Sequence, residues 1–232
     1  MNKFVIFTAV VGNYDEILQP KVVDDRFDYI LFSNDIKEKN IGVWQVRPIN
    51  YINEIQTKIA RWVKTHPEDL LSEYEFSIWI DANIRISTSY TYEKSIDLYL
   101  SGVEVASIKH PKRNDIYEEC GSVLGYCLES EDVVFDWLNV IHKAGYPDNN
   151  GLNETGLLYR KHCSKIMAID QLWWNCIERY SRRDQLSFNY VLWKYNLKCE
   201  FFLLNSMKVK NSIDFEYVMH HGNVSRLLEN KS

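Results

Sequence analysis

Phe76-Ser77-Ile78-Trp79-Ile80-Asp81-Ala82-Asn83 (FSIWIDAN, residues 76–83) is an apolar run that stops abruptly at a carboxylate and an amide. Runs of this kind are typical of central strands covered on both faces, as in sheets flanked by helices. Two earlier segments have the same form. Lys3 to Val11 is rich in β-branched and aromatic residues and ends at Gly12-Asn13, and Asp28 to Ser33 ends at Asn34-Asp35. Between them and the central run, Trp44 to Val46 reads as a short strand. Ile55 to Lys64 places Ile55, Ile59, Trp62 and Val63 at helical spacing, with Pro67 beyond as a stop.

Downstream, Val103 to Ile108 is a further candidate strand. Glu131 to Ala144 is an amphipathic helix with Ser130 as N-cap and Gly145-Tyr146-Pro147 as its end. Asp148 to Gly156 is polar and glycine-containing, and reads as a loop. Ile169 to Arg179 and Asp184 to Tyr195 read as helices, Glu200 to Leu204 as a late strand, and the tail from Asn211 carries His220-His221. Strands and helices alternate without a Pro/Gly/Ser-rich linker or an internal repeat. The expected architecture is α/β: a single Rossmann-like domain over residues 1–232, its central mixed, mostly parallel sheet flanked by helices. Such sheets bind ligands outside the carboxyl ends of their strands. Gly12-Asn13, Asn34-Asp35 and Asp81-Ala82-Asn83 therefore become candidates for one shared crevice.

Composition narrows the function. The chain has 232 residues, 46% hydrophobic and 25% charged, with 7 Trp, 15 Tyr and 10 Phe. A formal net charge of -5 argues against a nucleic-acid binder, which needs a basic face to replace phosphate counterions. A diphosphate ligand stays open, since one metal ion and one or two local cations can neutralise it. Cys120, Cys127, Cys163, Cys176 and Cys199 form a scattered set with no CxxC pair. Reduced thiols, and hence a cytoplasmic protein, fit that pattern better than a disulfide framework. The N-terminal apolar run is too short for a membrane span and has no cleavage region, so no integral membrane segment is expected. No GxGxxG or GxxxxGK[ST] occurs. The sequon-like Asn153-Glu154-Thr155 and Asn223-Val224-Ser225 read as accidental.

Four constellations could carry chemistry. Asp81 and Asn83, two residues apart past a buried strand, can offer oxygen to one hard cation that bridges phosphates; the bland alternative is a strand-end turn. His220-His221-Gly222 combines imidazoles suited to manganese with a glycine that lets backbone approach a phosphate, against a surface histidine pair as the alternative. Gln185 and Asn189 share a helix face and could orient sugar hydroxyls. Beside them, Ser181-x-x-Asp184 matches a capping box, in which case Asp184 would only satisfy helix-end amides. Lys58, Arg61, Lys109, His110, Lys112 and Arg113 could face a diphosphate or simply coat a solvated surface.

Together these motifs resemble a known family. FTAVVGNYDEI, DYILFSND, WIDANIRI, HPKRNDIYEE, GLNETGLLYRKH and SRRDQLSFNYVLWK, in this order from Phe7 to Lys194, are similar to the glycosyltransferase-like domain first catalogued as domain of unknown function 616, of plant and bacterial cell-wall and surface-polysaccharide synthesis. That family is in turn similar to the glycogenin and bacterial galactosyltransferase group of retaining enzymes with the GT-A fold. The resemblance implies a DxD role for Asp81 and Asn83, with His220 or His221 as a further metal ligand and Gly222 beside the phosphate. It implies an acceptor-binding role for Asn153, Thr155, Gly156 and Asn189, and places Asp184 and Gln185 beside the reacting sugar. Val10, Val11, Gly12, Asn13, Tyr14 and Asp35 would hold the nucleoside, and Lys58 and Arg61 the donor phosphates. One departure stands out. The second DxD carboxylate is Asn83, whose amide oxygen can bind a cation but supplies no charge.

The expected function is metal-assisted transfer of a sugar from a nucleotide-sugar donor, UDP-linked, to a glycan acceptor in surface or capsular polysaccharide synthesis. The metal would be Mn2+, with Mg2+ as an alternative. Two other readings remain open: a nucleotide-sugar-binding module weakened in catalysis, motivated by Asn83, and a nucleotide-sugar hydrolase.

Overall fold

A computed structural model of the protein describes residues 3–12, 16–203 and 212–218. Its centre is an eight-stranded sheet with spatial order β3-β4-β2-β1-β5-β8-β7-β9. The strands are β1 (Phe4–Ala9), β2 (Phe27–Phe32), β3 (Asn40–Ile41), β4 (Trp44–Arg47), β5 (Phe76–Ile80), β7 (Val105–Lys109), β8 (Asn153–Lys161) and β9 (Glu200–Phe201). β1 pairs in parallel with both β2 and β5, β2 with β4, and β7 with β9. β3 and β8 run against their neighbours, so the sheet is mixed and mostly parallel. The central run keeps its promise: all five residues of β5 are buried.

Alternation along the strands sorts side chains into two cores. On one face Val5, Phe7, Ile30, Phe32, Trp79 and Leu158 pack against helices α1 (Gln56–Thr65), α4 (Ile116–Gly125), α5 (Glu131–Lys143), α6 (Ser164–Arg179) and α7 (Gln185–Lys194). The short α2 (Pro67–Leu70) follows α1. On the other face Ile6, Tyr29, Leu31, Ile78 and Tyr159 meet helix α3 (Tyr90–Leu100) and a small antiparallel pair, β6 (Ile84–Ile86) with β10 (Phe215–Tyr217). Among the described residues no helix is long and apolar enough to cross a membrane.

Most expected elements appear within a residue or two of their predicted ends. The segment from Asp148 to Gly156 is a correction: from Asn153 onward it is strand β8, nine residues long, in mid-sheet. Its polar letters misled because Asn153 and Thr155 are buried, where the Asn189 side chain meets the Asn153 N–H and Oδ1 and Asp184 accepts the Thr155 hydroxyl. Burial of Asn153 also removes its sequon from any glycosylating enzyme. Ser130 stands at the N-cap of α5, as expected, but makes no side-chain capping bond.

β8 is gripped unevenly. Against β5 its register is continuous from Ile80↔Leu157 to Phe76↔Lys161. Against β7 the register shifts between Ala106↔Tyr159 and Ile108↔Glu154, so extra β8 residues, including Thr155 and Gly156, arch out of that ladder. Bulges of this type re-aim side chains beside functional sites.

Candidate active site

The carboxyl ends of the parallel strands gather most of the expected residues. After β1, Gly12 adopts φ +72° and donates its N–H to Asp35 Oδ2 at 2.6 Å, joining the tips of β1 and β2. That left-handed φ favours glycine, and a Cβ there would also push aside the end of the Gln56 side chain. Val10 is buried and Val11 half-buried beside it. Val10, Thr8, Ile80 and Asp81 line a small cavity between the strand tips, with Glu16 to Leu18 across from them. Asn34 ties the end of β2 to the chain beyond β4, exchanging two hydrogen bonds with Ile49 at 2.8 and 2.9 Å.

The densest chemistry lies where β5, β8, α1 and α7 meet. Asp184 precedes α7 at the N-cap position, yet its side chain makes no capping bond. The capping-box reading is therefore corrected. Ser181 Oγ instead accepts from Arg183 N–H, and the Asp184 carboxylate turns inward. There it accepts from Lys64 Nζ at 2.5 Å and Thr155 Oγ1 at 2.8 Å, and lies 3.1 Å from Arg61 Nε. Asp81 stands on the other side of both cations, its Oδ1 3.8 Å from Lys64 Nζ and 3.9 Å from Arg61 Nη1. Two carboxylates and two cations thus form a compact quartet of zero net charge. Such pairing is what makes burial of charge tolerable.

Burial by itself would raise the Asp184 pKa, but the Arg61 and Lys64 charges, with the Lys64 and Thr155 hydrogen bonds, hold it well below the usual carboxylate range. Burial pulls the Lys64 ammonium down from its ordinary value, and the two carboxylates oppose that pull. Burial likewise works against the charge on Arg61, and Asp184 and Asp81 reverse it, leaving the guanidinium more strongly protonated than usual.

Around the quartet, Gly156 lies against Asp81: its carbonyl accepts Asp81 N–H at 2.8 Å, and an added Cβ would stand 3.1 Å from Asp81 Oδ2. Asn153 and Asn189 form a reciprocal pair, Asn153 N–H to Asn189 Oδ1 at 3.0 Å and Asn189 Nδ2 to Asn153 Oδ1 at 2.9 Å. Gln185 Nε2 and Asn153 Nδ2 are buried donors with no hydrogen-bond partner among the described residues. Asn83 is buried, and its carbonyl accepts the N–H of Val218 at 2.8 Å.

Some expected residues are engaged elsewhere. Lys58 holds the Glu178 carbonyl at the end of α6, at 2.7 Å. His110 Nδ1 accepts from Arg113 N–H at 2.8 Å, and Arg113 pairs with Glu119 on α4, so this loop is tied up within itself. Asn13, Tyr14, His220, His221 and Gly222 lie outside the described residues. Sequence reasoning missed Lys64, which sits among the charged letters of a helix end and is fully buried. It also missed two tryptophans beside it. Trp79 Nε1–H donates to Asp81 Oδ1 at 2.7 Å and Trp173 Nε1–H to the Asp184 carbonyl at 2.9 Å, while Lys64 Nζ lies 5.4 and 5.7 Å from their ring centroids.

Comparison with known proteins gives this geometry a context. The chain is 24% identical over 221 residues to alkaline ceramidase TOD1 of Arabidopsis thaliana, covering 81% of this chain and 47% of that protein. It is 21% identical over 212 residues to probable hexosyltransferase MUCI70 of the same plant, covering 81% of this chain and 36% of that protein. The chain thus spans less than half the length of these curated relatives. Among solved structures, the apo form of the bifunctional glycosyltransferase WbbM aligns with 87% of this chain and 38% of its own, at 11% identity and a TM-score of 0.49. The family model described as TOD1/MUCI70, glycosyltransferase-like domain, matches residues 1–221, nearly the whole sequence, and the chain belongs to that family.

Proposed function

We propose that the protein transfers a glycosyl group from a UDP-sugar to a glycan acceptor with the help of a divalent cation, Mn2+ or Mg2+. The observation that carries this reading is the convergence of Asp81 and Asp184, distant in sequence, on Lys64 and Arg61 at the carboxyl ends of the strands.

Asp81 offers one ligand to a cation; among the described residues no group of three His, Cys, Asp or Glu stands together to complete the set. Asp81 is 29% exposed, and its Oδ2 accepts no hydrogen bond among the described residues. Asn83 follows two residues on. The bond from Val218 N–H to Asn83 delivers the C-terminal chain to the same strand tip. Asp81, Asn83 and His220 or His221 are the proposed ligands. When bound, the cation would offset charge on the leaving diphosphate.

The chain's own residues account for the rest. Lys64 and Arg61 fix the Asp184 carboxylate and keep it ionised. A carboxylate with so low a pKa is a poor proton acceptor near neutrality and a good electrostatic stabiliser of a sugar that gains positive charge. That favours a retaining reaction, as in GT-A enzymes, over base-assisted inversion. The bare Nε2 of Gln185 and Nδ2 of Asn153 are donors for sugar hydroxyls, since buried donors seek partners. Gly12 and Asp35, joined at the tips of β1 and β2, are the proposed nucleoside contacts. A cytoplasmic setting, suggested by the five free cysteines, and a role in surface or capsular polysaccharide synthesis are part of the same proposal.

The test is UDP release with Mn2+ across a panel of UDP-sugars and glycan acceptors. Acceptor-dependent turnover that Asp184→Asn abolishes is expected. Silence with every UDP-sugar, together with no UDP binding by calorimetry, defeats the proposal; release at full rate without acceptor makes the protein a hydrolase.

A further inference from the structure

Asp81 is held in an unusual way. Side chains two apart on a strand share a face, and Asp81 lies just past the end of β5, where the chain turns. Its carboxylate folds back over Trp79 and accepts the indole N–H on Oδ1 at 2.7 Å. The indole is itself immobile. Trp79 is 1% exposed, meets Phe7 edge-on at a centroid distance of 5.2 Å, and carries the Lys64 ammonium on its other side at 5.4 Å. Oδ2 rests over the bare Cα of Gly156, where a Cβ would be 3.1 Å away.

The two oxygens therefore have different surroundings. Oδ1 faces inward, bonded to the indole and beyond hydrogen-bonding distance of Lys64 and Arg61, at 3.8 and 3.9 Å. Oδ2 accepts no hydrogen bond among the described residues. The indole N–H is the one hydrogen-bond donor to the Asp81 carboxylate among the described residues, so without it the two cations would draw Oδ1 toward them. The carboxylate would swing onto them and withdraw both oxygens from the crevice.

We propose that Trp79 is a positioning residue for divalent-cation binding: its N–H fixes Asp81 so that Oδ2 stays available to the cation. The inference rests on the cation-assisted reading given above. Groups that orient a metal ligand from behind change metal affinity by about 10- to 100-fold when removed.

The test compares the native chain with Trp79→Phe, which keeps an aromatic ring and deletes the donor. Mn2+ binding in the presence of UDP is measured by electron paramagnetic resonance, beside thermal unfolding. A roughly tenfold or greater loss of Mn2+ affinity is expected, with the Mn2+ concentration for half-maximal UDP release rising in step and kcat at saturating Mn2+ nearly kept. A tryptophan that merely fills space would lower the melting temperature and kcat and leave Mn2+ affinity alone. A folded variant with native affinity overturns the role of Trp79 only; a native chain that binds no Mn2+ overturns both this role and the cation-assisted reading. Should the variant not fold, the native chain decides. Its seven indole N–H resonances are followed as Mg2+ is added with UDP. A signal that moves with the binding midpoint supports the role, and seven stationary signals refute it.

Discussion

Lys64→Met isolates the buried charge at the centre of the quartet. Methionine keeps an unbranched stem between the rings of Trp79 and Trp173 and removes only the ammonium. Lys64 is fully buried and its Nζ is 2.5 Å from Asp184 Oδ2, so no solvent screening softens the loss. Removing one partner of a buried pair costs about 3–5 kcal/mol, because the survivor is left desolvated and unmatched. Arg61 Nε remains 3.1 Å from the other oxygen of Asp184, which places the expected cost at the lower end, about 3 kcal/mol. For a chain of 232 residues the entropy of unfolding is about 0.5 kcal/mol/K, so the melting temperature should fall by about 6 °C. Calorimetry and urea unfolding on Lys64→Met, Asp184→Asn and the double variant complete a thermodynamic cycle. The double variant should be less destabilised than the two singles together, by up to about 3 kcal/mol. Strict additivity, or a Lys64→Met melting temperature within about 1 °C of native, would refute the coupling of these charges.

Gly156→Ala places a methyl 3.1 Å from both Asp81 Oδ2 and Ile84 Cδ1, and should cost about 1–3 kcal/mol by overpacking while lowering UDP release far more than that stability loss implies; activity falling only in proportion to the folded fraction contradicts the contact. Behind the site, burial pushes the Asp170 carboxyl up to about 8 against the pull of Arg160, and burial raises Glu68 as well. The folded chain then keeps a proton that the unfolded chain has released above about pH 4, so unfolding free energy should fall as pH rises from 5 to 8. Asp170→Asn should flatten that slope, as read from urea midpoints across the range; an unchanged slope removes the argument.

Strands β1, β2, β4, β5 and β7 and the helix α1 were legible because burial on two faces leaves continuous apolar runs and burial on one face leaves a helical stripe. β8 was not legible from its N-terminal half. Its Asn153 and Thr155 hydrogen-bond to Asn189 and Asp184, residues about thirty positions away, and no local pattern records such a bond. Lys64 escaped for the same reason: a buried lysine looks like a solvated one until its carboxylates are known. Asp81, Asp184, Arg61, Thr155 and Gly156 were named from sequence and do meet. That Asp184 is an inward-facing anion and makes no cap emerged only from the fold, since a capping box and a buried ion pair use the same letters.

The uneven grip on β8 has a mechanical consequence. Leu157 to Lys161 are stitched to β5, with Tyr159 and Arg160 shared by β7, whereas Asn153 and Glu154 are held by β7 alone. A shift of Asn153 and Glu154 relative to Leu157 and Leu158, such as the entry of a bulky acceptor would cause, has to be taken up at the short arch between them. That arch is Thr155 and Gly156, one touching Asp184 and the other touching Asp81. Strain arising at the acceptor side is thus delivered directly to the two carboxylates, through a lever two residues long.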